Sequence, residues 1–70
     1  MITIEQNKFE VNIIMDEDGA EKLIKMLTGL INKSDTHYHL MTPAFGGDEL
    51  SEKTVVEGDT IINMLRLQLF

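Results

Sequence analysis

One stretch of this chain repeats with the period of a helix, and its surroundings repeat with the period of strands. Ala20, Leu23, Ile24, Leu27, Leu30 and Ile31 recur at helical spacing and make one apolar stripe. Ile2 and Ile4 alternate with Thr3 and Glu5, while Phe9, Val11, Ile13 and Met15 share one side of a second alternating run. A striped helix and one-faced strands are stable in water only when they cover each other. The pattern therefore predicts an α+β domain of order β-β-α-β-β. Its sheet is antiparallel and four-stranded, with one helix packed on one face. At 70 residues the chain is expected to be a single domain, 1–70.

Local signals divide these segments. Gln6-Asn7-Lys8 is a polar break that suits a hairpin turn, with Phe9 opening the second strand. Asp16, Glu17 and Asp18 place negative charge where the helix dipole favours it. Asp18 with Glu21 has capping-box spacing, which makes Asp18 the expected cap. Glu21 and Lys25 form a favourable pair on the wet side. Gly29 costs roughly 1 kcal/mol relative to alanine inside a helix, and Asn32-Lys33-Ser34 ends the element. Thr36 to Thr42 is the expected third strand. After the Glu57-Gly58-Asp59 turn, Thr60 to Leu69 is the expected fourth. The core predicted from these periods is Ile4, Val11, Ile13, Leu23, Ile24, Leu27, Ile31, Leu40, Leu65 and Leu67.

Size and charge narrow the function classes. A domain this short buries only about 60% of the surface its unfolded chain exposes. That leaves little room for both a core and a deep pocket, which favours a binding module or an oligomer over a lone enzyme. The chain has no cysteine, hence no disulfide and no thiolate metal site. Small secreted domains usually need such staples. With no signal-like or membrane-spanning run, the expected compartment is the cytoplasm. Twelve acidic against six basic residues give a net charge of −6, a poor match to nucleic acid and a good one to a basic protein surface.

The segment Thr36 to Lys53, THYHLMTPAFGGDELSEK, is the most specific in the chain. His37 and His39 are two apart on a strand, so they share a face. Leu40 is the better core candidate, which puts the histidines on the side away from the helix. Paired histidines can ligate zinc, with Asp48, Glu49 or Glu52 as the conceivable third ligand. The set is incomplete, and no metal or other cofactor is expected. No nucleophile elbow and no phosphate loop are present, so no catalytic residue is assigned. Pro43 fixes the start of a turn, and Gly46-Gly47 allow a positive φ angle and a close backbone approach. Phe45 is expected to plug this loop, and Leu50 to anchor its far end in the core. Asp48, Glu49 and Glu52 are expected to project charge outward. If the third and fourth strands pair, Met41, Met64, Ile62, Phe70 and Arg66 join the histidines in a patch with interface composition.

These residues resemble immunity protein family thirty-two, small bacterial immunity proteins of polymorphic toxin systems. The family's pattern is an HxH-type strand, a short turn with an aromatic residue, then Gly-Gly-x-Glu-Leu. His37, His39, Leu40, Thr42, Gly46, Gly47, Glu49 and Leu50 match it, and Phe45 stands where the family has tryptophan. The resemblance covers the middle third of the chain, with the last leucine-rich strand as weaker support. It implies a non-enzymatic protein that neutralises a cognate toxin by direct contact. His37, His39, Phe45, Asp48, Glu49 and Glu52 are the partner-binding candidates. The expected partners are that toxin, for which a basic surface suits the charge, and a second copy of the chain in a homodimer. No nucleic acid or membrane partner is expected. The rival readings are a structural or regulatory homo-oligomeric module and, behind it, a small metal-dependent enzyme using His37 and His39.

Overall fold

A computed structural model describes residues 1–70. Strands β1 (Ile2–Gln6) and β2 (Val11–Met15) form an antiparallel hairpin in which Ile2 faces Met15, Ile4 faces Ile13 and Gln6 faces Val11. The turn lies one residue later than its polar signal. The Asn7 side chain accepts from the backbone N–H groups of Phe9 at 2.9 Å and Glu10 at 3.2 Å. This Asx-type arrangement draws Phe9 out of the strand and into the turn, where its ring is exposed.

Helix α1 (Glu17–Ile31) follows directly. Its cap is Asp16, not Asp18: the Asp16 carboxylate accepts from Gly19 N–H at 2.8 Å, and Asp18 falls within the first turn. The Met1 amine and that Gly19 N–H together hold the Asp16 carboxyl below the usual carboxylate range. At the other end, Lys33 N–H donates to Leu30 O at 3.2 Å and Ser34 N–H to Gly29 O at 3.1 Å. These are the two bonds of a Schellman motif, and they place Lys33 at φ 60°. Gly29 has a packing role, since a Cβ there would lie 2.3 Å from the Tyr38 hydroxyl.

The remaining strands do not join one sheet. β1 is the centre of a three-stranded sheet, β2-β1-β4, with β4 at Thr60–Ile61, and β3 (His37–Met41) pairs with β5 (Met64–Gln68) in a separate two-stranded sheet. The single four-stranded sheet is thus replaced by a three-plus-two arrangement within the same α+β class. The break falls in the expected fourth strand, which becomes β4 (Thr60–Ile61) and β5. Ile62 N–H donates to Ile4 O at 2.9 Å, while Asn63 O accepts from Thr42 N–H at 3.0 Å. One residue therefore belongs to each sheet, and the chain switches between them there. Asn63 secures the switch by accepting the Thr42 hydroxyl at 2.8 Å.

The core lies between the helix and the two sheets. Ile2, Ile4, Leu40 and Leu50 form its centre, with Met15, Leu23, Met26, Tyr38, Ile62, Leu65 and Leu67 packed around them. Of the predicted core, Ile4, Leu23, Leu40, Leu65 and Leu67 take part. Val11, Ile13, Ile24, Leu27 and Ile31 do not; all five are exposed. The helix turns Gly19, Leu23, Met26 and Leu30 inward, about one residue step around from the Ile24–Leu27–Ile31 flank. Two small sheets cover only a narrow arc of a helix, and the apolar stripe is wider than that arc.

Glu5 is fully buried although its neighbours' alternation points it at solvent. The irregular segment between Ser51 and Asp59 crosses that side of the sheet. The Glu5 carboxylate accepts from Val55 N–H and Val56 N–H, each at 2.9 Å. Asn12 and Asn7 hold the far end of the segment by donating to the Asp59 carboxylate at 3.2 and 3.1 Å.

Candidate functional site

The Thr36–Lys53 stretch forms a strand followed by a self-braced loop. On β3, Leu40 and Tyr38 face the core, as the alternation requires. The register places His37 opposite Gln68, His39 opposite Arg66 and Met41 opposite Met64. Those six side chains make the outer face of the small sheet. The His37 and His39 rings meet edge to face with centroids 4.9 Å apart, and His37 Nδ1 lies 3.0 Å from the Thr36 hydroxyl. No three His, Asp or Glu side chains converge in an arrangement that would hold a metal ion. Tyr38 donates to Asp35 at 2.8 Å, and that bond raises the phenol above its ordinary pKa. Ile62 leaves the expected patch because it packs on the core, and Phe70 lies beyond the end of β5.

Pro43 starts a 3-10 turn, Pro43–Phe45, at the position where its missing N–H is harmless. Gly46 ends the turn at φ 91°, donating to Pro43 O at 3.0 Å. Gly47 serves the second purpose of the glycine pair: a Cβ there would fall 2.7 Å from Met41 O. The chain then returns along β3, with Leu50 N–H donating to Met41 O at 3.1 Å. Leu50 is buried in the core, as expected of an anchor. The next residue ties the loop to the other sheet, since Ser51 N–H donates to Ile2 O at 2.8 Å.

The acidic residues divide by role. Glu49 and Glu52 were expected to project outward, but both turn into their own loop. Glu49 Oε1 accepts from Met41 N–H at 2.9 Å, and Glu52 Oε1 accepts from Ala44 N–H at 2.6 Å. The Met41 N–H, foremost, holds the Glu49 carboxyl below the usual carboxylate range. The reason is that Met41 N–H lies at the open margin of β3 and Ala44 N–H in the first turn of a 3-10 helix, where neither has a backbone acceptor, and nearby carboxylates satisfy them. Asp48 remains exposed at the loop's apex. Phe45 does not plug the loop; its ring is 54% exposed. Phe45 and Asp48 are exposed on the loop, and His37, His39, Arg66, Met41 and Met64 lie on the outer face of the sheet.

Glu5 is the residue that sequence reasoning missed. It shapes the far side of the molecule by holding the segment that follows the loop. The only signal for it was a strand-position glutamate with no cationic neighbour in its alternation. A shallow hollow of about 280 Å³ lies behind the loop, lined by Met1, Ile2, Lys22 and residues 48–51. No helix is long and apolar enough to cross a membrane. No protein-family model matches this chain, and neither a curated protein nor a solved structure is significantly similar to it.

Proposed function

We propose that this chain is a non-enzymatic binding protein that neutralises a cognate bacterial toxin by direct contact through the 37–52 loop and its adjoining sheet face. The observation that carries the reading is the bracing of the loop. Pro43, Gly46, Gly47, Glu49, Glu52 and Leu50 together fix its backbone, while Phe45 and Asp48 stay uncommitted at its surface. A loop ordered before binding loses less entropy on association. An exposed aromatic ring beside a carboxylate supplies an apolar anchor with a charge that steers a basic partner. The net charge of −6 acts in the same direction. In this reading His37, His39, Phe45 and Asp48 touch the toxin, and Glu49 and Glu52 keep the loop in its binding shape.

The test is growth rescue. The gene's neighbourhood is searched for a toxin domain, the chain is co-expressed with any such domain, and binding of the two purified proteins is measured by calorimetry. Rescue by the parent is expected, as is its loss in Phe45→Ala and Asp48→Lys variants whose melting temperatures stay near the parent's. If the adjacent toxin domain is neither bound nor silenced, the toxin reading fails. If both variants bind as tightly as the parent, the loop is not the contact.

A further inference from the structure

The β2 strand leaves the sheet open on one side. Asn7 N–H donates to Glu10 O and Asp16 N–H to Met1 O, each at 3.1 Å. With the hairpin register, those bonds make Glu5–Asn12 and Thr3–Ile14 the bonded pairs between them. Val11, Ile13 and Met15 therefore turn their backbone N–H and C=O groups away from β1, towards the open edge. β4 is only two residues long and β5 carries the charged Arg66, both features that blunt an edge. The far edge of β1 receives β4, Ser51 and Ile62, and Met41 at the margin of β3 is capped by Glu49 and Leu50. The β2 sequence, VNIIM, has no charge and no proline, the devices that normally block an edge.

The exposed helix flank stands over the same edge. Lys22 borders the hollow with Met1, Ile2 and Leu50, and Gly29 lies against Tyr38, so that flank faces the 48–51 segment and β3. Ile24, Leu27 and Ile31 occupy the opposite flank, above β2. Ile13 is on the helix side of the sheet because it shares a register pair with buried Ile4. Val11, Ile13, Ile24, Leu27 and Ile31 are each 49–67% exposed.

We propose that two copies of this chain pair through their β2 edges. The two strands run antiparallel about a two-fold axis at Ile13, making one six-stranded sheet with the Ile24–Leu27–Ile31 flanks of the two helices meeting across it. A second copy fits better than an unrelated strand because the surface is self-complementary. The axis sets Ile13 against Ile13 of the second copy and Val11 against its Met15, with no charged side chain in the ladder. The area points the same way. Aromatic side chains bury about 150–250 Å² each; these five aliphatic ones are smaller and 49–67% exposed, so they offer on the order of 300–400 Å² per copy. At an interface about 60% apolar, that corresponds to roughly 500–650 Å² per partner, which the ladder backbone extends towards the ~800 Å² of a standard interface.

Sedimentation equilibrium of the full chain, from low to high micromolar, tests the pairing. A dimer is expected. Ile13→Lys and Ile24→Lys should each weaken self-association by about tenfold or more, with the parent's circular dichroism retained because both positions are solvent-exposed in the monomer. Hydrogen exchange adds a second readout. The Val11 and Ile13 amides should be protected in the dimer and lose that protection on dilution, whereas Asn12 and Ile14 stay protected within the hairpin. A monomer throughout the concentration range would overturn the proposal. So would a dimer that survives both substitutions, or one in which Val11 and Ile13 exchange freely. Protection of those amides that appears only when a different protein is added would assign the edge to that partner instead.

Discussion

The buried carboxylate of Glu5 gives the sharpest test of how the irregular half of this molecule is held. Glu5 has 0% of its surface exposed, and its two oxygens accept from Val55 and Val56 N–H at 2.9 Å each. Glu5→Gln keeps the shape and one acceptor but turns an NH₂ donor towards a backbone N–H. A hydrogen bond to a charged group contributes about 1.5–3 kcal/mol, and an unsatisfied buried donor costs ~1–3 kcal/mol. Against that loss stands the smaller cost of burying a neutral amide in place of a carboxylate. The balance is a destabilisation of about 1–3 kcal/mol, out of ~4–10 kcal/mol for a domain of this size. At ~4–8 °C per kcal/mol, the melting temperature should fall by roughly 4–24 °C. Urea denaturation gives the free energy, and hydrogen exchange gives the location: the Val55 and Val56 amides should lose protection before those of β1. A Glu5→Gln protein that melts with the parent and keeps both amides protected would refute the clamp.

Three further outcomes follow from the geometry. Leu30→Ala should cost ~2–5 kcal/mol because Leu30 is buried, and clearly more than Leu27→Ala when both are unfolded with urea at low protein concentration; equal losses would mean the inward face of the helix is wrong. Lys33→Gly should raise stability by about 0.5–1 kcal/mol, since Lys33 holds the left-handed position of the Schellman motif, where a Cβ is strained; an unchanged or lower urea midpoint would contradict that. The folded pKa of Glu49 is depressed, so its contribution is present above its unfolded value of about 4.3 and lost as pH falls through the folded value. Glu49→Gln should therefore be less stable than the parent at neutral pH, with the gap closing as pH falls through the depressed folded value in melts followed by circular dichroism.

Local pattern was enough to set the kinds of element and their order. Period two marked β1, β2 and β3, and the 3.6-residue period marked α1, because backbone geometry repeats locally and side chains register that repeat. It determined which way β3 faces, since Leu40 and Tyr38 alternate with two histidines. It also determined the loop's kink, because a positive φ at Gly46 and the close approach at Gly47 are demands that few other residues meet.

Which apolar residues are covered depends on long-range packing. The stripe from Ala20 to Ile31 is wider than the arc two small sheets can shield, and nothing local distinguishes Leu30, which is buried, from Leu27, which is not. The strand break at Ile62-Asn63 arises from partners 58 and 21 residues distant, Ile4 and Thr42, that no local pattern names. Glu5 and Glu49 point inward for the same reason. Each meets backbone amides brought to it by chain folding, and an acceptor's direction is set by where its donors lie. Local periodicity therefore fixes the elements, while burial and hydrogen-bond partners depend on contacts between distant parts of the chain.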